Sequence, residues 1–249
     1  MPFWLSVAFM NVVDLQDFYA SPLGKATHRL VSPKIVAALK TAGSSRILGL
    51  GYATPYLQPV SGTMAFMLAR RGVTHWPPSG LVQSALVDEF DLPLPDHSID
   101  VALLIHALEF TDDPAEMLQE LWRVLAPQGQ LILVVPNRHG LWSLSDSSPF
   151  GFGQPFSPMQ LRQHLKGAQF SLVQMKYGLF MPPWLHLGGV RLAPAVEKLG
   201  AAALGQLSGV LIATATKQIF AYKTGKRLAR SALRFRPALI GSPRKNSAG

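Results

Sequence analysis

Four polar residues stand directly after apolar runs: His106 follows residues 101–105, and Asn137, Arg138 and His139 follow residues 131–135 and Pro136. A side chain at the end of a buried strand meets whatever binds there. A histidine, whose unperturbed pKa lies near neutrality, can orient or deprotonate a substrate hydroxyl. His106 is therefore the candidate catalytic base, with a histidine satisfied at a strand–helix junction as the plainer alternative. Asn137 and His139 are candidates to line a substrate mouth, against the plainer reading of a polar turn after Pro136. A further stretch, RILGLGYATPYL at residues 46–57, has the form of a nucleotide-binding strand and turn. Gly49, Gly51 and Ala53 alternate in it, and Thr54-Pro55 offers the start of a helix.

Other chemistry is excluded by composition and spacing. There is no cysteine, which removes disulfides, thiolate metal sites and cysteine nucleophiles. The seven histidines show no HExxH or related spacing, so no metal is expected. SLSDSS at residues 143–148 lacks the G-x-S-x-G elbow of a hydrolase. THWPPSG at residues 74–80 reads as a rigid loop packed on the sheet, or as an aromatic ligand wall.

The elements that must position these residues alternate between short apolar strands and amphipathic helices, the pattern of a parallel sheet covered on both faces. Ser32-Pro33 offers a cap and first-position proline for a helix through KIVAALK. Strands are expected at residues 46–50, 63–68 and 85–87. Residues 101–105 form a continuous apolar run, as expected of a strand buried on both faces. Asp113, Pro114 and Glu116 predict a capping box, and Met117, Leu118, Leu121, Val124 and Leu125 one apolar helix face, with Gln128-Gly129 as terminator. Residues 131–135 form the next strand. Ser157-Pro158 with Gln160 caps another helix, and residues 171–177 and 210–221 are strands whose long separation suits an antiparallel end.

The charge is uneven. Net charge is +9, yet eight of the 23 Lys and Arg lie in residues 223–249, a stretch without an acid, so the body is nearly neutral against its 14 Asp and Glu. This tail can touch anionic lipid or nucleic acid; a solvated extension is the plainer reading, since Phe235 is its one aromatic. The apolar start, residues 1–12, has no basic n-region and reads as a packing or membrane-touching extension. Arg191, Glu197 and Lys198 interrupt residues 185–215 too often for a membrane span, which reads as a buried helix followed by a strand. The organisation expected is an N-terminal extension (1–12), one domain (13–222) and a basic tail (223–249), with a cytoplasmic or membrane-peripheral location.

DLPLPDHSIDVALLIHALEF and ELWRVLAPQGQLILVVPN, with ILGLGY and ATKQIFA as weaker pieces, resemble the class I S-adenosylmethionine-dependent methyltransferases, in particular the type 11 group. The resemblance runs from about Phe18 to Tyr222. It implies a Rossmann-like doubly wound, mostly parallel α/β sheet with an antiparallel C-terminal strand, and S-adenosylmethionine lying across the carboxyl ends of the strands. By position it assigns Gly49, Gly51 and Ala53 to the cofactor turn, Met67 to the ribose position, and Asp88 with neighbouring Glu89 to the adenine loop. It places His106 near the transferring methyl group, and Tyr19 on a helix that closes over the site.

The resemblance is to a degenerate member. Between Asp17 and Asp88 the sequence contains no Asp or Glu, so the family's strand-one acid is Gly49 and its ribose acid falls near Met67. Neither side chain accepts a hydrogen bond from a ribose hydroxyl as a carboxylate does. Losing one charge-assisted hydrogen bond, about 1.5–3 kcal/mol, weakens binding by roughly tenfold to a hundredfold. Two readings follow. The leading one is methyl transfer to a small-molecule or lipid-like acceptor; the alternative is an inactive methyltransferase-fold protein serving as a binding or partner module, with a protein partner in that case.

Overall fold

The computed structural model describes residues 10–42, 46–145, 148–184, 197, 200 and 205–218. The chain divides into units Met1–Ile219 and Phe220–Gly249, and everything below belongs to the first. The basic tail and most of the apolar start lie outside the described residues, as does most of the helix expected before residue 205.

Two helices precede the sheet. α1 (Val12–Ala20) starts with a reciprocal capping box between Asn11 and Asp14. α2 (Pro22–Ala42) buries Leu23, Ala26, Val31 and Ile35, one face at helical spacing. The Ser32-Pro33 start expected from sequence is not a boundary. The same Ser-Pro signal one step earlier opens α2, where the Ser21 hydroxyl accepts from Gly24 N at 3.1 Å, and Pro33 lies inside the helix with an exposed side chain. The amide it lacks would have bonded a carbonyl on the solvent-facing side, where water can replace it.

Seven strands then form one sheet: β1 (Ile47–Gly51), β2 (Thr63–Leu68), β3 (Ser84–Val87), β4 (Ile99–Ile105), β5 (Leu125–Pro136), β6 (Phe170–Gly178) and β7 (Val210–Lys217). Their order is β3-β2-β1-β4-β5-β7-β6. β1 to β5 pair in parallel, and β7 enters antiparallel between β5 and β6. The chain order reverses between β1 and β4, where Leu50 faces Leu104 in register; doubly wound sheets open their ligand crevice at such a point. β4 is buried at every residue except Asp100, which explains its unbroken apolar sequence. One core layer joins this face to α2; the other is covered by α3 (Pro114–Val124) and α4 (Pro158–Gly167).

Three local expectations change. The Asp113 side chain caps α3 by accepting from Ala115 and Glu116 N, but among the described residues Glu116 does not bond back, so only half of the expected box forms. α3 ends at Val124 rather than at Gln128-Gly129, because Pro127 biases Ala126 to an extended backbone and β5 starts at once. After β1, Thr54-Pro55 opens a single 3-10 turn (Thr54–Tyr56) instead of a helix. The Ser157–Gln160 box forms as expected.

Candidate functional site

His106 sits one residue past β4 with a positive φ of 52°, unusual for a residue with a side chain, and it is fully buried. Strained backbone of this kind collects at functional sites. Its Nδ1 lies 3.2 Å from Glu109 Oε1, and its Nε2 lies 3.0 Å from the Tyr19 hydroxyl. A carboxylate only accepts, so Nδ1 carries the hydrogen, and in the neutral ring Nε2 then accepts from the Tyr19 hydroxyl. The Tyr56 hydroxyl donates in turn to Tyr19 at 3.4 Å. Burial, and then the neighbouring Tyr56, hold the Tyr19 phenol well above its usual pKa; burial likewise raises Tyr56 and Tyr52. All three phenols stay protonated at neutral pH, as the chain of donors requires.

Glu109 was not singled out from the sequence. The signal available was its place three residues after His106, which lets one carboxylate orient the ring as it does in many His sites. Tyr52 and Tyr56 were likewise missed, as aromatics in an otherwise glycine-like turn. Phe150, whose ring centroid is 4.7 Å from that of His106, closes the other side.

The residues that the resemblance assigns to a cofactor are gathered around the same edge, but the chain itself fills the space between them. Val12 and Leu15 from α1 pack with Tyr52 and Met67 as one buried apolar cluster. Met67, at the ribose position, is 1% exposed and accepts only the Thr74 amide on its sulfur. α1 is fastened there by Gln16 to Thr74 and by Arg71 Nη1 to the Met10 carbonyl at 2.6 Å. Between Val12, Leu15, Gly51, Tyr52, Met67, Arg71 and His106 there remains a cavity of about 10 Å³. That is room for at most one water, whereas ligand pockets run to about 300–1,000 Å³.

The turn itself is closely packed. A Cβ at Gly49 would stand 2.5 Å from Leu57 Cδ1 and 2.9 Å from Ala53 Cβ, so a carboxylate at this position requires both neighbours to shift. Gly51 has φ +82°, and a Cβ there would meet the Ile105 carbonyl at 2.4 Å. It abuts the end of β4, with Tyr52 N bonded to the Ile105 carbonyl at 2.7 Å, rather than facing an open ligand space. Ala53 has an ordinary φ of −85°, so the positive φ that would have strained it is not needed. With no α-helix after β1, no helix N-terminus points at an anionic group there.

The outer residues are dispersed. Asp88 is exposed, and its Oδ1 accepts from Phe90 N at 2.9 Å. Glu89 is buried, with its charge facing Arg70 and Arg71. Asn137, expected at a substrate mouth, is instead fully buried, and its Nδ2 donates to the Ser208 carbonyl at 2.9 Å, tying β5 to the start of β7. His139 is exposed, and its amide donates to Asn137 Oδ1 at 3.3 Å. Of the three residues expected to line the substrate, Tyr19, Asn137 and His139, Tyr19 alone joins His106.

Residues 60–133 match the family model described as a methyltransferase domain. The similarity is to the class I S-adenosylmethionine-dependent methyltransferases. Among solved structures, a methyltransferase of Thermotoga maritima shares 19% identity over 83% of this chain and 96% of its own, with a TM-score of 0.52. A methyltransferase of Archaeoglobus fulgidus shares 17% over 76% and 94%, with a TM-score of 0.53. A chain from the complex of the Haloferax volcanii Trm112 methyltransferase activator with a candidate methyltransferase shares 17% over 81% and 98%, with a TM-score of 0.55. No curated protein matches. These likenesses carry the fold, and the antiparallel β7 agrees with it. The family implies binding of S-adenosylmethionine. Among the described residues no carboxylate stands beside Met67, the cavity there measures about 10 Å³, and the turn presents aromatic and apolar side chains. Among the described residues no helix is long and apolar enough to cross a membrane.

Proposed function

We propose that this chain is a methyltransferase-fold protein that binds a small molecule beside His106 without transferring a methyl group from S-adenosylmethionine. The observation that carries this reading is the apolar cluster of Val12, Leu15, Tyr52 and Met67, which occupies the ribose position with the chain's own N-terminal helix. Evicting α1 would return buried apolar side chains to water at about 1.5–3 kcal/mol each, and no carboxylate would repay that cost. On this ground we place the binding reading ahead of methyl transfer, the order opposite to the one drawn from sequence.

The second reading, methyl transfer, has one observation in its favour. The strained, fully buried His106 is oriented by Glu109 at the strand end where the fold presents a transferring group. Displacing Tyr19 would free Nε2 to accept a proton from an acceptor hydroxyl.

Calorimetric titration of S-adenosylmethionine and S-adenosylhomocysteine into the folded protein separates the readings. No heat at millimolar ligand is the expected result. Micromolar binding that is lost in Asp88→Ala would overturn the proposal and restore methyl transfer to first place.

A further inference from the structure

On the outer side of Tyr19, α1, the first half of α2 and the Thr54–Tyr56 turn border an open cleft of about 400 Å³, lined by Tyr19, Lys25, His28, Arg29 and Pro55. Its volume is that of a small-molecule site. Of these five described lining residues three carry side-chain nitrogen and none is acidic.

Lys25 and Arg29 lie one turn apart on α2, so their side chains share a face, and both are exposed. Among the described residues neither forms an ion pair, while Lys34, Arg46, Arg70 and Arg123 all do. The polar contact of the Arg29 side chain among the described residues is Nε to the Lys25 carbonyl at 3.3 Å, which leaves its terminal nitrogens available to a ligand. Like charges one turn apart repel, and a bound anion would relieve both. The floor is fixed: His28 Nε2 donates to the Pro55 carbonyl at 2.8 Å, and the His28 ring lies 4.9 Å from that of Tyr56. The inner wall is the Tyr19 ring, whose hydroxyl reaches His106.

The geometry points to a small organic anion, a carboxylate or a phosphate monoester, held in this cleft with its charge on Lys25 and Arg29 and its apolar body against Tyr19 and Pro55. This deepens the reading above and rests on it for the statement that the edge beside His106 takes a small molecule. Arg29 can hold two oxygens of such a group at once, and Lys25 adds a point charge.

The test is calorimetry on the full chain at low salt with phenyl phosphate and benzoate, and with benzyl alcohol as the uncharged match. Lys25→Gln combined with Arg29→Gln is the variant; both side chains are exposed, and an unchanged circular dichroism spectrum and urea midpoint confirm folding. The basic tail is present in both samples, so the difference between them reads the cleft. At least one anion is expected to bind, benzyl alcohol not to bind, and the double variant to weaken the anion by about tenfold or more. Phenyl phosphate alone binding assigns the site to phosphate monoesters, and benzoate alone to carboxylates. Equal affinity in the double variant, equal affinity for benzyl alcohol, or no heat from either anion at tens of millimolar would each overturn the proposal. S-adenosylmethionine titrated into the same samples separates this from the earlier reading: cofactor binding alone sinks that one, and absent anion binding alone sinks this one.

Discussion

Gly51→Ala tests whether the glycine turn serves the fold or an incoming ligand. At φ +82° an L-residue pays about 1–2 kcal/mol of backbone strain. The new methyl would also stand 2.4 Å from the Ile105 carbonyl, 2.7 Å from that of His106 and 2.8 Å from Ala107 Cβ. These are two backbone atoms and a buried side chain, none of which can swing aside, and overpacking of this kind costs about 1–3 kcal/mol. The sum is about 2–5 kcal/mol, which at a urea m-value of about 3 kcal/mol per M lowers the midpoint by about 1 M. Gly80→Ala supplies the control, since Gly80 has φ +95° but open space around it, and should lose the strain contribution alone. Equilibrium urea unfolding in the absence of any ligand reads both. If Gly51→Ala unfolds at the wild-type midpoint, or falls no further than Gly80→Ala, then the turn is not packed against β4 as described and the reasoning about the closed crevice fails with it.

Tyr19→Phe removes the donor to His106 Nε2 and leaves a fully buried acceptor unpaired, so stability should fall by about 1–3 kcal/mol at neutral pH; an unchanged urea midpoint would refute the donor chain. The raised phenols predict a pH dependence. A folded pKa above the unfolded value of about 10 leaves stability complete below that pH and removes it as pH climbs toward the folded value. Urea midpoints should therefore hold to about pH 9.5 and then fall, and Tyr56→Phe should flatten the fall; an identical slope in that variant would count against the burial argument. Asn137→Ala should cost about 1–3 kcal/mol through the lost bonds to Ser208 while leaving anion titrations unchanged. A variant with full stability and weakened ligand affinity would instead return Asn137 to the substrate mouth.

The sheet was legible because buried parallel strands need unbroken apolar runs, and β4 and the second half of β5, residues 131–135, show them. α4 was legible through Ser157 and Gln160, a local signal that the rest of the molecule leaves alone. The start of α2 was misread because Ser-Pro occurs twice in this stretch, at Ser21 and Ser32, and which pair begins the helix depends on how α1 packs, a long-range matter. The loss of carboxylates at Gly49 and Met67 could be read from residue types alone. What replaces them could not, since Val12 and Leu15 meet Met67 across more than fifty residues of chain. The same holds for Tyr19 and His106, whose hydrogen bond joins an N-terminal helix to the fourth strand. Asn137 shows the converse: a polar residue at a strand end has two uses, and only the burial of its amide against Ser208 tells them apart.

The account turns on α1 being the occupant of the crevice in solution, and amide hydrogen exchange of Leu15 to Ala20 measures this most directly. A helix of nine residues is not stable alone in water, so any protection there reports its packing onto Tyr52, Met67 and Thr74. The prediction is slow exchange in the free protein that does not change when S-adenosylhomocysteine is added at millimolar concentration. Exchange at unfolded-chain rates, or a change in α1 protection on adding that ligand, would contradict it.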